Sequence, residues 1–179
     1  MQVISLSSLI EAANNNEVDV FHYLSSFYCL NNKDVESFLH KNAIPNEKRA
    51  LTRTSLIIDE NNNNEIIGYF TLLIKSFDLT NEVSNESRKK LTGNKNATVF
   101  NTILIAQLGR SDQYKVRVSG DIVLHFALEN CMLIYHLAGL RIVCVEYDDI
   151  PYLNDFYLKN EFKILQVNDS GKILAYIRL

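Results

Sequence analysis

At 179 residues and a net charge of −3, the chain has the size of a single domain spanning 1–179. Hydrophobic residues make up 47% and charged residues 22%, values that exclude a disordered chain and allow a sizeable core. The acidic balance argues against a protein whose main business is gripping a nucleic-acid backbone, though it leaves room for a local basic patch.

Residues 3–10 read as a short strand or a helix start, and Asn14 to Asn16 as a solvated turn. From Val18 to Leu30 apolar and aromatic residues follow helical spacing. A second helix is expected from an Asp34 cap to Asn42, and Pro45 starts a further turn and a half through Leu51. Thr54 to Asp59 and Ile66 to Phe77 read as a hairpin over the Asn61 to Asn64 loop. Gly68 marks a bulge or a close backbone approach in its second strand. Residues 81–96 form an irregular excursion with a helical turn at Glu86 to Leu91, and its charge run (Arg88, Lys89, Lys90, Lys95) reads as solvated surface. A strand from Val99 to Gly109 leads through a polar loop to a long helix from Gly120 to Leu137. The apolar face expected for that helix is Val123, Phe126, Ala127, Leu133, Ile134 and Leu137, and Gly139 ends it. Ile142 to Val145 reads as a buried strand, Pro151 opens a short helix, and Lys163 to Val167 pairs with Lys172 to Arg178 in a closing hairpin.

Cys29, Cys131 and Cys144 sit in apolar surroundings without CxxC spacing and read as buried, reduced thiols. The histidines show no ligand spacing, so no metal is expected. No apolar run approaches the ~20 residues of a membrane span, and the N-terminus lacks a signal peptide's basic flank. A soluble, cytoplasmic protein with no membrane partner is the expectation.

The chemistry concentrates between Asn101 and Phe162. A strand feeding the basic loop Arg110 to Ser119, with Gly120 opening a helix, is a ready phosphate site. Tyr157, a phenol near the end of the next helix, suits a proton donor. Together they suggest group transfer from a phosphate-bearing carrier.

The order of elements, with Phe156-Tyr157-x-Lys159-Asn160-x-Phe162 near the end, resembles the GNAT acetyltransferases from about Thr54 onward. The strand Gly68-Tyr-Phe-Thr-Leu72 and the strand end Gln107-Leu108-Gly109-Arg110 are most similar to the short bacterial branch that includes toxin–antitoxin acetyltransferases. The resemblance implies a mixed α/β (α+β) fold: a mostly antiparallel sheet with a central splayed parallel strand pair and flanking helices. It implies acetyl-CoA as the acetyl donor. The donor's pantetheine arm would pair with backbone at Leu108, Gly109 and Arg110, and N–H near Leu108 would face the oxyanion. Its pyrophosphate would lie in the loop Lys115, Val116, Arg117, Val118, Ser119 and Gly120, the counterpart of the family's Q/R-x-x-G-x-G/A. Val118 stands where that pattern has its inner glycine, and Glu161 where FYxKNxF usually continues with glycine. Tyr157 would be the catalytic acid, its phenol pKa of ~10 close to a thiol's ~8.5.

A general base is left open among Glu146, Asp148, Asp112 and His125. The acceptor is an amine of a small molecule, protein or peptide. Two alternatives stand beside this reading: a toxin acting on aminoacyl-tRNA, or an idle fold that binds coenzyme A or a partner. The tRNA reading needs basic surface, for which Lys41, Lys48, Arg49, Arg53 and the Arg88 to Lys90 run are candidates. An antitoxin partner and a homodimer also belong to the resemblance.

Overall fold

In the computed structural model, which describes residues 1–30 and 32–179, short polar side chains set the starts of the N-terminal elements. Strand β1 (Gln2–Ser5) hands directly to helix α1 (Leu6–Ala12), because Ser5 Oγ accepts the Ser8 N–H at 3.0 Å and caps the helix. Asn14 and Asn15 take left-handed φ angles of 52° and 60°, which asparagine tolerates. Asn16 then caps α2 (Glu17–Leu24) through the Val18 N–H at 3.2 Å.

That helix was expected to reach Leu30 and instead stops at Leu24. Ser25 and Ser26 turn their hydroxyls back onto the Phe21 and Tyr23 carbonyls at 2.8 and 2.7 Å, competing with the helical ladder. Phe27, released from helical geometry, is 1% exposed in the core. Helix α3 (Lys33–Lys41) is capped by Asn32, not Asp34, through the Val35 N–H. Helix α4 (Ala43–Lys48) begins ahead of Pro45. Strands β2 (Arg53–Asp59) and β3 (Glu65–Asp78) flank the asparagine loop, where Asn63 and Asn64 again take left-handed φ.

The remaining elements are α5 (Asn85–Thr92), β4 (Val99–Arg110), α6 (Gly120–Ala138), β5 (Ile142–Tyr147), α7 (Pro151–Lys159), β6 (Lys163–Val167) and β7 (Ile173–Arg178). Among the described residues the sheet has seven strands in the order β1-β2-β3-β4-β5-β7-β6. Strands β4 and β5 are parallel, Ile103 opposite Val143 and Leu104 opposite Cys144, while β1–β2, β2–β3, β5–β7 and β6–β7 are antiparallel. The mixed, mostly antiparallel α/β fold expected from the sequence is therefore present. The chain divides into two compact units, Met1–Leu73 with Ala106–Glu129, and Ile74–Ile105 with Asn130–Leu179.

In the first unit, α1 to α4 bury Leu6, Ile10, Leu24, Val35, Leu39 and Ile44 with Leu56, Ile58 and Tyr69 of the hairpin. Two glycines let this packing close. A Cβ on Gly68 would stand 2.7 Å from the Gly109 carbonyl oxygen, and the β2 register shifts beside it between Ile57 and Ile58. A Cβ on Gly109 would meet Val35 Cγ1 at 2.5 Å, Tyr69 Cε1 at 3.0 Å and Phe27 Cζ at 3.2 Å. Both the bulge and the close approach expected at Gly68 are thus found. Tyr69, fully buried, donates its hydroxyl to the Val35 carbonyl at 2.6 Å.

In the second unit the excursion is better anchored than its charge run suggests. Lys89 and Lys90 are exposed, but Arg88 is 9% exposed. Its guanidinium donates to the carbonyls of Val83, Ala97 and Thr80 at 3.0, 2.6 and 2.6 Å. Five donors in a rigid fork allow one side chain to gather three strands of a loop. Buried Gln166 adds a second tie, accepting the Thr80 N–H at 3.0 Å and donating to the Asp78 carbonyl at 2.8 Å.

Along α6 the buried stripe is Val123, Leu124, Ala127 and Cys131. Leu133 and Leu137, expected on the same face, are 60% and 89% exposed. At 3.6 residues per turn they lie about 120° and 80° around the axis from Ala127, on the side away from Leu124 and Cys131, so they fall outside the buried stripe.

Replacing Gly109 with Ala is expected to cost about 1–3 kcal/mol, because Val35 and Tyr69 must move to admit the methyl group. An unchanged urea midpoint would contradict the packing described. Burial pushes the Cys131 and Cys144 thiols up to about 12, and Cys29 is raised more modestly by the same cause. At pH 8 an aromatic disulfide reagent should leave Cys131 and Cys144 untouched in the native protein and titrate all three cysteines after denaturation.

Candidate functional site

In the first unit β4 ends at Arg110, and the chain turns through a short 3-10 helix (Asp112–Tyr114) into the start of α6. Backbone bonds pin the turn: Ser111 N–H donates to the Ile67 carbonyl and Asp112 N–H to the Tyr28 carbonyl, both at 2.8 Å. Asp112 Oδ2 also accepts the Leu30 N–H at 2.7 Å, so this candidate base serves as a structural tie.

Tyr114 is the deeper anchor. It is 3% exposed, and its hydroxyl lies 3.1 Å from both Asp59 Oδ2 and Glu65 Oε2 while accepting from Asn62 Nδ2 at 3.2 Å. Burial first, then the Glu65 and Asp59 carboxylates, hold the phenol above its ordinary pKa, so it remains a donor.

The loop beyond is sorted by exposure. Lys115, Val116, Arg117 and Ser119 are exposed, with Val116 98% so. Val118 is 3% exposed and held at both backbone ends, its N–H on the Tyr114 carbonyl and its carbonyl on Arg110 Nη1, each at 2.9 Å. The side chain that replaces glycine therefore faces inward. Lys115 N–H and Arg117 N–H are taken by the Asp112 and Tyr114 carbonyls at 3.2 and 3.0 Å. The N–H groups of Ser119 and Gly120 have no intrahelical acceptor at the start of α6. Arg110 contributes through the Val118 carbonyl, while its Nε is buried without a partner. Gly109 contributes by having no side chain, and Leu108 is half-buried.

In the second unit Tyr157 lies on α7, 8% exposed. Its ring centroid is 4.7 Å from that of Tyr147, 5.1 Å from Phe156 and 5.5 Å from Phe162. Burial, with a smaller contribution from Tyr147, pushes the Tyr157 phenol well above its ordinary range. Of the other base candidates, Glu146 is held by Lys75 Nζ at 2.7 Å and Asn168 Nδ2 at 2.6 Å, Asp148 is exposed, and His125 is a largely exposed partner of Glu129 at 3.3 Å. Glu161 takes φ 67°, a left-handed conformation that glycine adopts more readily. Among the described residues no His, Cys, Asp and Glu group could hold a metal ion, and no helix is long and apolar enough to cross a membrane.

The sequence reading missed Tyr114 and Tyr147. Tyr114 is the last residue and the one aromatic of the 3-10 helix, and Tyr147 is the one aromatic of β5 and closes it; each is an aromatic residue at an element's end.

Neither a family model nor a curated protein matches the chain. Solved structures do. AtaT complexed with acetyl-methionyl-tRNAfMet is similar at a TM-score of 0.70 and 15% identity, covering 87% of this chain and 86% of that one. AtaTR bound with acetyl-CoA gives 0.69 and 14%, covering 99% and 92%. A tyrosine-to-phenylalanine mutant of KacT gives 0.69 and 15%, covering 87% and 86%. The chain shares the fold of the AtaT and KacT structures.

Tyr114→Phe should loosen the loop without unfolding the chain. A loss of about 1–2 kcal/mol in urea unfolding is expected, with faster hydrogen exchange at residues 115–118. Exchange as slow as in the native protein would show that the Asp59–Tyr114–Glu65 contacts do not hold the loop.

Proposed function

We propose that this chain is an acetyl-CoA-dependent N-acetyltransferase acting on an amine acceptor. The observation that carries the reading is the outward basic face of the loop before α6. With Val118 turned inward, Lys115, Arg117 and Ser119 face solvent where a 19-residue helix begins. Two cations, the N–H groups of Ser119 and Gly120 and the positive end of the helix form a donor set suited to a diphosphate. The unpartnered Arg110 Nε and buried Ser111 hydroxyl beside the same strand end fit that use. Backbone at Leu108, Gly109 and Arg110 would receive the carrier's arm. That AtaTR was solved with acetyl-CoA supports the assignment.

When bound, the donor supplies an activated acetyl group. The chain's part is to hold the diphosphate, orient the arm and provide a proton. The acceptor nitrogen bonds to the acetyl carbon, the carbon–sulfur bond breaks, and the nitrogen sheds its proton to solvent. Tyr157 donates to the departing sulfur. An ordinary phenol lies about 1.5 pKa units above a thiol, about 2 kcal/mol, and burial widens the gap, so Tyr157 acts as a hydrogen-bond donor while the bond breaks and does not become a lasting tyrosinate. Because its pKa is raised, Tyr157 keeps its proton throughout the neutral and mildly alkaline range.

The fold of AtaT, solved with acetyl-methionyl-tRNAfMet, supports aminoacyl-tRNA as the acceptor. The chain's basic surface for RNA is thinner than the sequence suggests. Lys48 pairs with Glu17 and Arg53 with Glu47, and Arg88 is buried. Lys41, Arg49, Lys89 and Lys90 are left to meet phosphates, with Lys90 already beside Glu86.

Tyr157→Phe should lower kcat about 10²-fold or more and leave the coenzyme A Kd within about twofold. The rate of the native enzyme should not fall as pH rises from 8 toward 9.5, since the raised phenol pKa lies above that window. A variant as fast as wild type would remove Tyr157 from the chemistry. Lys115→Ala and Arg117→Ala should each weaken coenzyme A by about three- to tenfold, more at low salt than at high. Thiol release measured over polyamines, amino acids, peptides and aminoacyl-tRNA identifies the acceptor, and growth arrest on expression would favour the last.

A further inference from the structure

The second unit holds a cleft of about 710 Å³ that the acetyl-transfer chemistry does not use. Strand register sets part of its lining. Lys163 of β6 stands directly opposite Tyr176 of β7, and Arg178 follows Tyr176 by two residues, so the three side chains share one face of the sheet. Ile142 of β5, opposite Arg178, belongs to that face as well. Leu158 and Phe162, at the end of α7 and just beyond it, add apolar surface.

The charged groups of the cleft are largely unused within the chain. Lys163 and Arg178 are exposed, and among the described residues neither has an ion-pair partner. Lys90 of α5 also lines the cleft, and it pairs only with Glu86, an i, i+4 contact at 2.6 Å between two exposed side chains that contributes little. Glu86 first, and more weakly Tyr176, hold the Lys90 ammonium above its ordinary pKa, which sets this lysine near the phenol of β7. Glu161 is the one carboxylate in the lining, so three cations against one anion leave a net charge of +2.

Cations flanking an aromatic ring on one sheet face suit a planar ring that carries a phosphate. A fatty acid would meet the apolar surface, but it would bring a single negative charge for three cations and no donor for Glu161. A nucleotide brings a doubly charged phosphate for the cations, a base to stack on Tyr176, and amino or hydroxyl donors for Glu161. The volume is in the range of clefts that enclose molecules of this size.

We propose that this cleft is a binding site for a nucleoside monophosphate, its phosphate held by Lys163, Arg178 and Lys90 and its base against Tyr176. The site shares no residue with the loop before α6 and does not rest on the transferase reading.

The test is calorimetric titration of the full chain with AMP, with adenosine, which lacks the phosphate, and with ribose 5-phosphate, which lacks the base. The titrations are run in the Lys115→Ala/Arg117→Ala background, which removes the cations of the loop before α6. Lys163→Gln and Arg178→Gln should each weaken AMP about three- to tenfold, more at low salt than at high, and leave adenosine unchanged. Tyr176→Leu should weaken AMP and adenosine by the same factor, about fivefold or more, and leave ribose 5-phosphate unchanged. Tyr176→Phe, which keeps the ring, should bind AMP as tightly as its parent. Absence of saturable AMP uptake overturns the site, and so does an AMP affinity that neither Lys163→Gln nor Arg178→Gln changes. Equal weakening of AMP and adenosine by these two charge variants overturns it too, because it would show that neither side chain meets the phosphate.

Discussion

Val118 is gripped from both sides of its peptide backbone, by the Tyr114 carbonyl and by the Arg110 guanidinium, each at 2.9 Å. This double hold decides which way the loop faces. With the valine's apolar atoms inside, the loop turns Lys115 and Arg117 outward at the beginning of a long helix. A glycine would have allowed the same path at an entropic cost in the unfolded state; here a buried side chain and two hydrogen bonds set the path. The grip depends in turn on Tyr114, which hangs from Asp59 and Glu65 at the ends of the asparagine hairpin. The absence of side chains at Gly68 and Gly109 lets β4 pack closely against β3 and α3 beside it. Hairpin, strand end and loop are thus one mechanical assembly in the first unit.

The second unit uses burial differently. Tyr157 sits among Tyr147, Phe156 and Phe162, and this apolar setting keeps its phenol protonated. In the proposed reaction such a phenol would give up driving force for full transfer but would always be in the donating form, and the loss of water around it would strengthen the hydrogen bond it makes.

Much of the fold was legible because the strands are aliphatic runs bounded by Asn, Gly and Pro. The Asn61 to Asn64 hairpin, the Pro151 helix start and the Gly139 stop all follow from local backbone preferences. What was not legible was competition between equally local choices. Ser25 and Ser26 end α2 by bonding to their own helix, although the apolar spacing continues through Phe27 and Tyr28. Leu133 and Leu137 keep a helical interval with each other and still lie on the exposed side of α6, since spacing alone does not say which stripe is covered. Arg88 looked like one more surface charge because its three carbonyl partners are backbone and leave no trace in side-chain patterns. Lys115, Arg117 and Tyr157 were singled out by residue type and order, and the structure adds their exposure or burial. The inward turn of Val118 was not, because it is set by Tyr114 and Arg110, and the tie of Asp112 to Leu30 spans a distance in sequence that no motif records.

The central claim is that the start of α6 holds a diphosphate, and the most direct measurement is an amide-resolved NMR titration of the isotope-labelled protein with coenzyme A. Saturable shifts should be largest at the Ser119 and Gly120 N–H groups, whose protons have no helical acceptor, and small at Val118, whose N–H is already bound to Tyr114. Shifts confined to other parts of the chain, or none at millimolar coenzyme A, would contradict the account.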